Sequence, residues 1–294
     1  MPSQNHIKQE VNLMKERNRP QQSHPKLQPQ SNAINKTRKT NNKAIKFLLI
    51  LTTMYVYAFG YVNEPIHAFD HKHTQWNNEL KKYVKEGNVD YSTWKKNQNG
   101  LDAYLQILSA VDEKEYSSFN NSEKLSFLIN AYNAFTIRLI LDHYPLKSIK
   151  ELGGLFSGPW KLEFFSLLGS KKNLDWIEHE KLRKDFQEPR IHFAINCASK
   201  GCPPLFEQSF QAPKLEEQLI YVSKRFLTDR NYNRYDSSQK ILYLSKIFQW
   251  FGGDFTRKSG SLISFYNSNS GLSPVPANAE IRYLDYDWNL NQTK

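Results

Sequence analysis

The chain has 294 residues and a net charge of +11, from 40 Lys and Arg against 29 Asp and Glu. Ten of those bases and only two of the acids fall in the first 46 residues, so the other 248 carry 30 against 27. A body this close to neutral lacks the field that phosphate binding requires, and no nucleic-acid partner is expected.

In chain order, residues 1–46 are rich in Asn, Gln, Pro, Lys and Arg and poor in large apolar residues. They cannot bury enough apolar surface to offset the entropy of ordering, and they read as a disordered basic segment. The uncharged run FLLILTTMYVYAFGYVN follows, Phe47 to Asn63. As a helix it would span roughly 25 Å, near the lower limit for crossing a bilayer. NEPIHA then resembles a cleavage region, with Ala68 at the last position before the cut. Two readings of residues 47–68 stand side by side. One is a cleaved signal peptide with a long basic lead, which a start at Met14 would shorten. The other is a retained single-span anchor, with residues 47–63 in the membrane. Both keep the Lys-rich side in the cytoplasm and place everything after Phe69 outside it, so an extracytoplasmic location is expected.

Residues 69–294 are enough for one globular domain with a substantial core. Trp76, Leu80, Tyr83 and Val84 follow helical spacing, as do Leu101, Tyr104, Leu105 and Leu108. A third helix starts near Asn121 as N-cap, runs to His143 and stops before Pro145. Leu174 to Arg183 reads as helical and Arg190 to Cys197 as a strand. Pro213 opens a helix whose inner face is Leu215, Leu219, Val222 and Phe226. Ile241 to Leu244 is a short strand, Ser245 caps another helix, and IRYLDYD ends the series as a last strand. Helices dominate and strands are short and scattered, with no βαβ alternation. The class is α+β, a single domain with a central buried helix and a small sheet.

The third helix is apolar nearly all round, which marks it as central. Glu123, Ser126, Asn130 and Asn133 interrupt it at steps of three, four and three, within roughly an 80° arc. This stripe faces either a functional cleft or a network that satisfies loop backbone. For Glu123 alone, a carboxylate in the first helical turn, capping is the simpler role.

Six blocks carry a family resemblance: FLINAYNAFTI (Phe127 to Ile137), LDHYPLKSI (Leu141 to Ile149), LDWIEHEKLR (Leu174 to Arg183), RIHFAINCASKGCPPL (Arg190 to Leu205), LSKIFQWFGGDF (Leu244 to Phe255) and YLDYDWNLN (Tyr283 to Asn291). Together they resemble the bacterial domain-of-unknown-function family 547. FDHKHTQW, Phe69 to Trp76, is similar to the mature N-terminus of its exported members. The resemblance implies no settled reaction. It carries a fold-level analogy to papain-like or transglutaminase-like thiol enzymes, and it makes Glu123, Asn130, Asn133, His192, Asn196, Cys197 and Cys202 candidate positions.

The two cysteines admit three readings. As a nucleophile, Cys197 needs a base within about 3 Å. On one extended strand His192 would lie roughly 16 Å away and on the opposite face, so the chain would have to break near Ala194 to Asn196. As a disulfide, Cys197 and Cys202 flank the turn-like Ala198-Ser199-Lys200-Gly201 and suit an oxidising compartment. As a metal site the C-x4-C spacing is wrong, and His71 and His73 read as solvated, so no metal or other cofactor is expected. A C-x-x-C redox pair is absent.

Two functions follow. The first is an exported thiol hydrolase or acyltransferase acting on an amide or ester. Cys197 is its nucleophile, His192 its base and Glu123 the group that orients the base, while Asn130, Asn133 and Asn196 bind substrate or oxyanion. The second is a non-enzymatic periplasmic or surface domain, stapled by Cys197–Cys202, that binds a small molecule or peptide in a polar groove.

Overall fold

The computed structural model describes residues 69–154 and 158–293. The expectations for residues 1–46 and 47–68 lie outside them. Among the described residues, no helix is long and apolar enough to cross a membrane.

The N-terminal half is helical: α1 (Thr74–Tyr83), the hairpin β1 (Val84–Lys85) and β2 (Asn88–Val89), α2 (Tyr91–Lys96), α3 (Asn99–Ala110), α4 (Glu113–Ser118) and α5 (Asn121–His143). Asp90 and Asp112 cap α2 and α4 by accepting from the backbone N–H groups of Thr93 and Glu115. Trp76 on α1 is fully buried and stacks on Tyr104 of α3 and on Trp94 of α2. Phe69 packs on Phe119 and Phe127, which ties the chain entry to α5.

Helix α5 is the axis of the molecule. From Leu125 to Leu141 only Arg138 escapes burial, and the helix packs against α2, α3 and the turns of the C-terminal half. Its N-cap is Asn120, one residue earlier than the sequence reading, and it ends at Tyr144. The central buried helix is therefore present as expected.

After the hairpin β3 (Phe165–Leu167) and β4 (Ser170–Lys172), the chain forms a π-turn, Trp176–Leu182, that runs into α6 (Arg183–Asp185). A short helix, α7 (Ile191–Ala194), occupies the stretch read as a strand. A fully buried apolar run of this length looks the same in sequence whether it is strand or helix. Here the Pro189–Arg190 corner decides, since the His192 and Phe193 N–H groups donate back to the Pro189 and Arg190 carbonyls. Helix α8 (Leu215–Thr228) buries Leu215, Leu219, Val222 and Phe226 as expected.

The remaining strands, β5 (Arg234–Asp236), β6 (Ile241–Leu244) and β7 (Glu280–Tyr283), form one sheet. β5 and β6 are antiparallel, whereas β6 and β7 are parallel, with Ile241 opposite Glu280 and Leu244 opposite Tyr283. A parallel pair needs a crossover, and this one contains α9 (Lys246–Trp250), α10 (Gly252–Ser259) and α11 (Leu262–Ser270). The result is a single α+β domain. After β7 the C-terminal segment returns across the cysteine loop, where Lys200 and Gly201 donate to the Asn289 and Asp287 carbonyls and Asn291 donates to Ala198.

Candidate functional site

His192 sits on α7, 3% exposed. Its Nε2 lies 2.8 Å from Asp254 Oδ2, and its ring stacks on Phe251 with centroids 4.1 Å apart. Asp254 is in the first turn of α10 and also accepts two bonds from Arg183, Nε to Oδ2 at 2.6 Å and Nη2 to Oδ1 at 3.1 Å. Burial is the largest influence on His192 and lowers its pKa against the pull of Asp254, so near neutral pH the ring is uncharged. Burial also acts to raise Asp254, but the bonds from His192 and Arg183 outweigh it and hold the carboxyl below the usual carboxylate range. A neutral ring that donates Nε2–H to a fixed carboxylate leaves Nδ1 as its basic nitrogen.

His192 lines a cleft of about 200 Å³. Ile195, Cys197, Cys202 and Pro203 continue its floor. Glu178 and His179 come from the π-turn and Asp175 from its N-cap position, Trp250 and Phe251 from the α9–α10 junction, and Tyr286 and Trp288 from the C-terminal segment. π-Turns inside helices commonly mark functional positions, and this one turns Glu178 inward. Burial raises Glu178 to about 7, partly offset by the Tyr132 hydroxyl and Arg183. Such a carboxyl exchanges a proton near neutrality.

Cys197 and Cys202 are joined in a disulfide, with Cα atoms 6.3 Å apart. Two features fix the loop between them. Ala198 adopts φ 63°, a left-handed conformation that costs a non-glycine residue about 1–2 kcal/mol. Gly201 lets the C-terminal segment approach, because a Cβ there would meet Asp287 N and the Tyr286 ring at 2.9 Å.

The polar stripe separates into two parts. Glu123 closes a capping box: its N–H donates to Asn120 Oδ1 at 3.0 Å and its Oε2 accepts from Asn120 N at 2.8 Å. Its other carboxylate oxygen lies 3.8 Å from His71 Nε2. Glu123 therefore does not orient His192, and the expectation is corrected: Asp254 holds that position, because the first turn of α5 faces the N-terminal segment. The expectation of solvated imidazoles is corrected too, since His73 is 2% exposed with Nδ1 2.7 Å from Tyr104 Oη. Burial lowers its pKa to about 3.

Asn130 and Asn133 serve as backbone partners, which corrects their assignment to substrate. Asn130 donates to Phe210 O at 2.7 Å and accepts from Phe210 N at 3.0 Å. Asn133 donates to Ala194 O at 2.9 Å and accepts from Asn196 N at 2.8 Å. Asn196 is likewise occupied: it donates to Pro203 O and accepts from Ala198 N and Asn291 Nδ2. Each buried amide mimics a strand partner where the chain has no other, because buried backbone groups must be paired. Asn133 thereby ends α7 at Ala194 and makes the break between His192 and Cys197 that a strand would not allow.

Asp254 and Glu178 are the site residues that sequence reasoning missed. Both stand in the quoted blocks, Asp254 after Gly252-Gly253 and Glu178 in the DWIEHE run. The signal was an acid beside aromatic residues, with nothing in its spacing to bring it to His192.

Residues 116–227 match the family model described as a protein of unknown function, DUF547. The match supports the family-547 resemblance across α5, the π-turn, His192 and both cysteines, and stops short of Asp254 and Tyr286. No curated protein and no solved structure matches the chain.

Proposed function

We propose that this protein is an exported thiol hydrolase or acyltransferase acting on an amide or ester, active once its disulfide is reduced by a cellular dithiol. One observation carries the reading: Cys197 lines the same aromatic cleft as His192, whose ring is paired behind it with the Asp254 carboxylate. In this reading His192 Nδ1 takes the Cys197 proton and the thiolate attacks the carbonyl carbon. The C–N or C–O bond breaks, and the imidazolium gives its proton to the departing amine or alcohol. Water or an acceptor nucleophile then resolves the thioester and returns the thiol. Asp254 keeps the ring in the required tautomer and stabilises the imidazolium. The small cleft suits one side-chain-sized acyl group of a small molecule or peptide. Export is supported by the run Phe47 to Asn63 and by bridged cysteines, which belong to oxidising compartments.

A non-enzymatic binding domain is the second reading, favoured by the closed disulfide and by the hydrogen bonds that fix its loop. Treating the reduced protein with a panel of activated acyl esters separates the two. One acyl group is expected on Cys197, located by mass spectrometry. Cys197→Ser should abolish it and His192→Ala should slow it about 10²–10⁴-fold, the usual contribution of a general base. Acylation that ignores His192, or none on Cys197, overturns the acyl-transfer reading in favour of the second.

A further inference from the structure

The environment of the two sulfurs is unequal. Cys202 is 6% exposed and its Sγ accepts two hydrogen bonds, from Cys197 N–H at 3.0 Å and from Tyr286 Oη–H at 3.2 Å. Cys197 is the more exposed of the pair, and the same Tyr286 hydroxyl lies 3.1 Å from its Sγ, so the phenol bridges both sulfurs while the backbone N–H serves Cys202. Tyr286 is held by Trp288 and Trp250, with ring centroids 4.5 and 4.9 Å away. Burial pushes its phenol above the ordinary range, so it stays a proton donor. A structural staple needs neither a cleft nor a backbone donor aimed at one of its sulfurs. Both are what a leaving thiolate needs, since hydrogen bonds to sulfur stabilise the anion and a better leaving group departs faster.

We infer that the cleft disulfide is a redox-active couple that oxidises dithiols, with Cys197 the sulfur attacked and Cys202 the thiolate released. A substrate thiolate entering the cleft bonds to Cys197 Sγ. The Cys197–Cys202 bond breaks and its electron pair leaves on Cys202 Sγ, where the Cys197 N–H and Tyr286 hydroxyl receive it. The substrate's second thiolate then attacks the substrate sulfur of the mixed disulfide, and that electron pair returns to Cys197. The dithiol departs as a disulfide, and its two electrons and two protons remain as the Cys197 and Cys202 thiols. Spacing in sequence gives no hint of this, because the asymmetry comes from the Cys197 N–H and from the deeper burial of Cys202, and the Tyr286 hydroxyl that reaches both sulfurs is more than eighty residues away.

This activity does not depend on the acyl-transfer reading. Its test is equilibration of the full chain with glutathione redox buffers, with the thiols trapped by alkylation and counted by mass spectrometry. The wild-type bridge is expected to open and close reversibly. Tyr286→Phe, which keeps the ring, should shift the equilibrium about tenfold towards the disulfide, or about 30 mV for this two-electron couple. Cys202→Ser treated with oxidised glutathione should form a mixed disulfide on Cys197 about tenfold faster than Cys197→Ser does on Cys202. A bridge that resists glutathione, an unmoved equilibrium in Tyr286→Phe, or equal trapping at the two cysteines overturns the inference. Acylation of Cys197 without exchange would leave acyl transfer standing and sink this activity alone, and exchange without acylation would do the reverse.

Discussion

Asp254→Asn is expected to destabilise the protein by about 3 kcal/mol at neutral pH, the low end of what breaking a buried charged pair costs. The carboxylate accepts from His192 and twice from Arg183, whereas an amide of the same shape can accept from only some of them. Arg183 keeps its charge and loses its bidentate partner. The pH dependence has a definite sign. Asp254 is held below its unfolded value, so its contribution is present above about pH 4 and is lost as pH falls through the folded value. The gap between wild type and variant, read from urea midpoints, should be full at pH 7 and shrink below pH 4. A gap that grew on acidification would mean that the carboxylate is not ionised in the folded protein. Acylation of Cys197 should fall along with stability, because the ring loses the group that fixes its tautomer.

Asn133→Leu should cost roughly 2–6 kcal/mol, from two buried backbone groups left unpaired at about 1–3 kcal/mol each. Leucine fits an apolar helix face but offers nothing to Ala194 O or Asn196 N. The loss should extend to the cysteine loop, because Asn196 in turn holds Pro203 and Ala198. Faster amide exchange at Asn196 is the local sign. Asn130→Leu should destabilise comparably, since it frees both backbone groups of Phe210, yet leave exchange at Asn196 where it was. If Asn133→Leu kept its stability and lost only ligand binding, the asparagine would belong to the substrate after all.

The contrast between these residues shows what could be read in advance. The apolar face of α5 follows from local periodicity, and so does the inner face of α8. Periodicity also singled out the polar stripe, but it could not choose between a cleft and a scaffold, because an asparagine that satisfies backbone and one that binds substrate have the same spacing. The strand expected over Arg190 to Cys197 failed because burial on all sides removes periodicity; the corner at Pro189 and the bonds from Asn133 decided instead. Asp254 reaches His192 only through the β6–β7 crossover, a contact 62 residues apart in sequence. Cys197 and Cys202 were legible as a pair, since the turn between them is local.

The most direct test of a cleft in which His192 serves Cys197 is the rate at which reduced protein is alkylated on Cys197 by iodoacetamide at neutral pH. With the histidine–carboxylate pair acting as base, His192→Ala should slow that reaction about a hundredfold, the low end of a general base's contribution. Equal rates in the wild type and in His192→Ala would contradict it, and would leave the histidine as a core residue beside a disulfide.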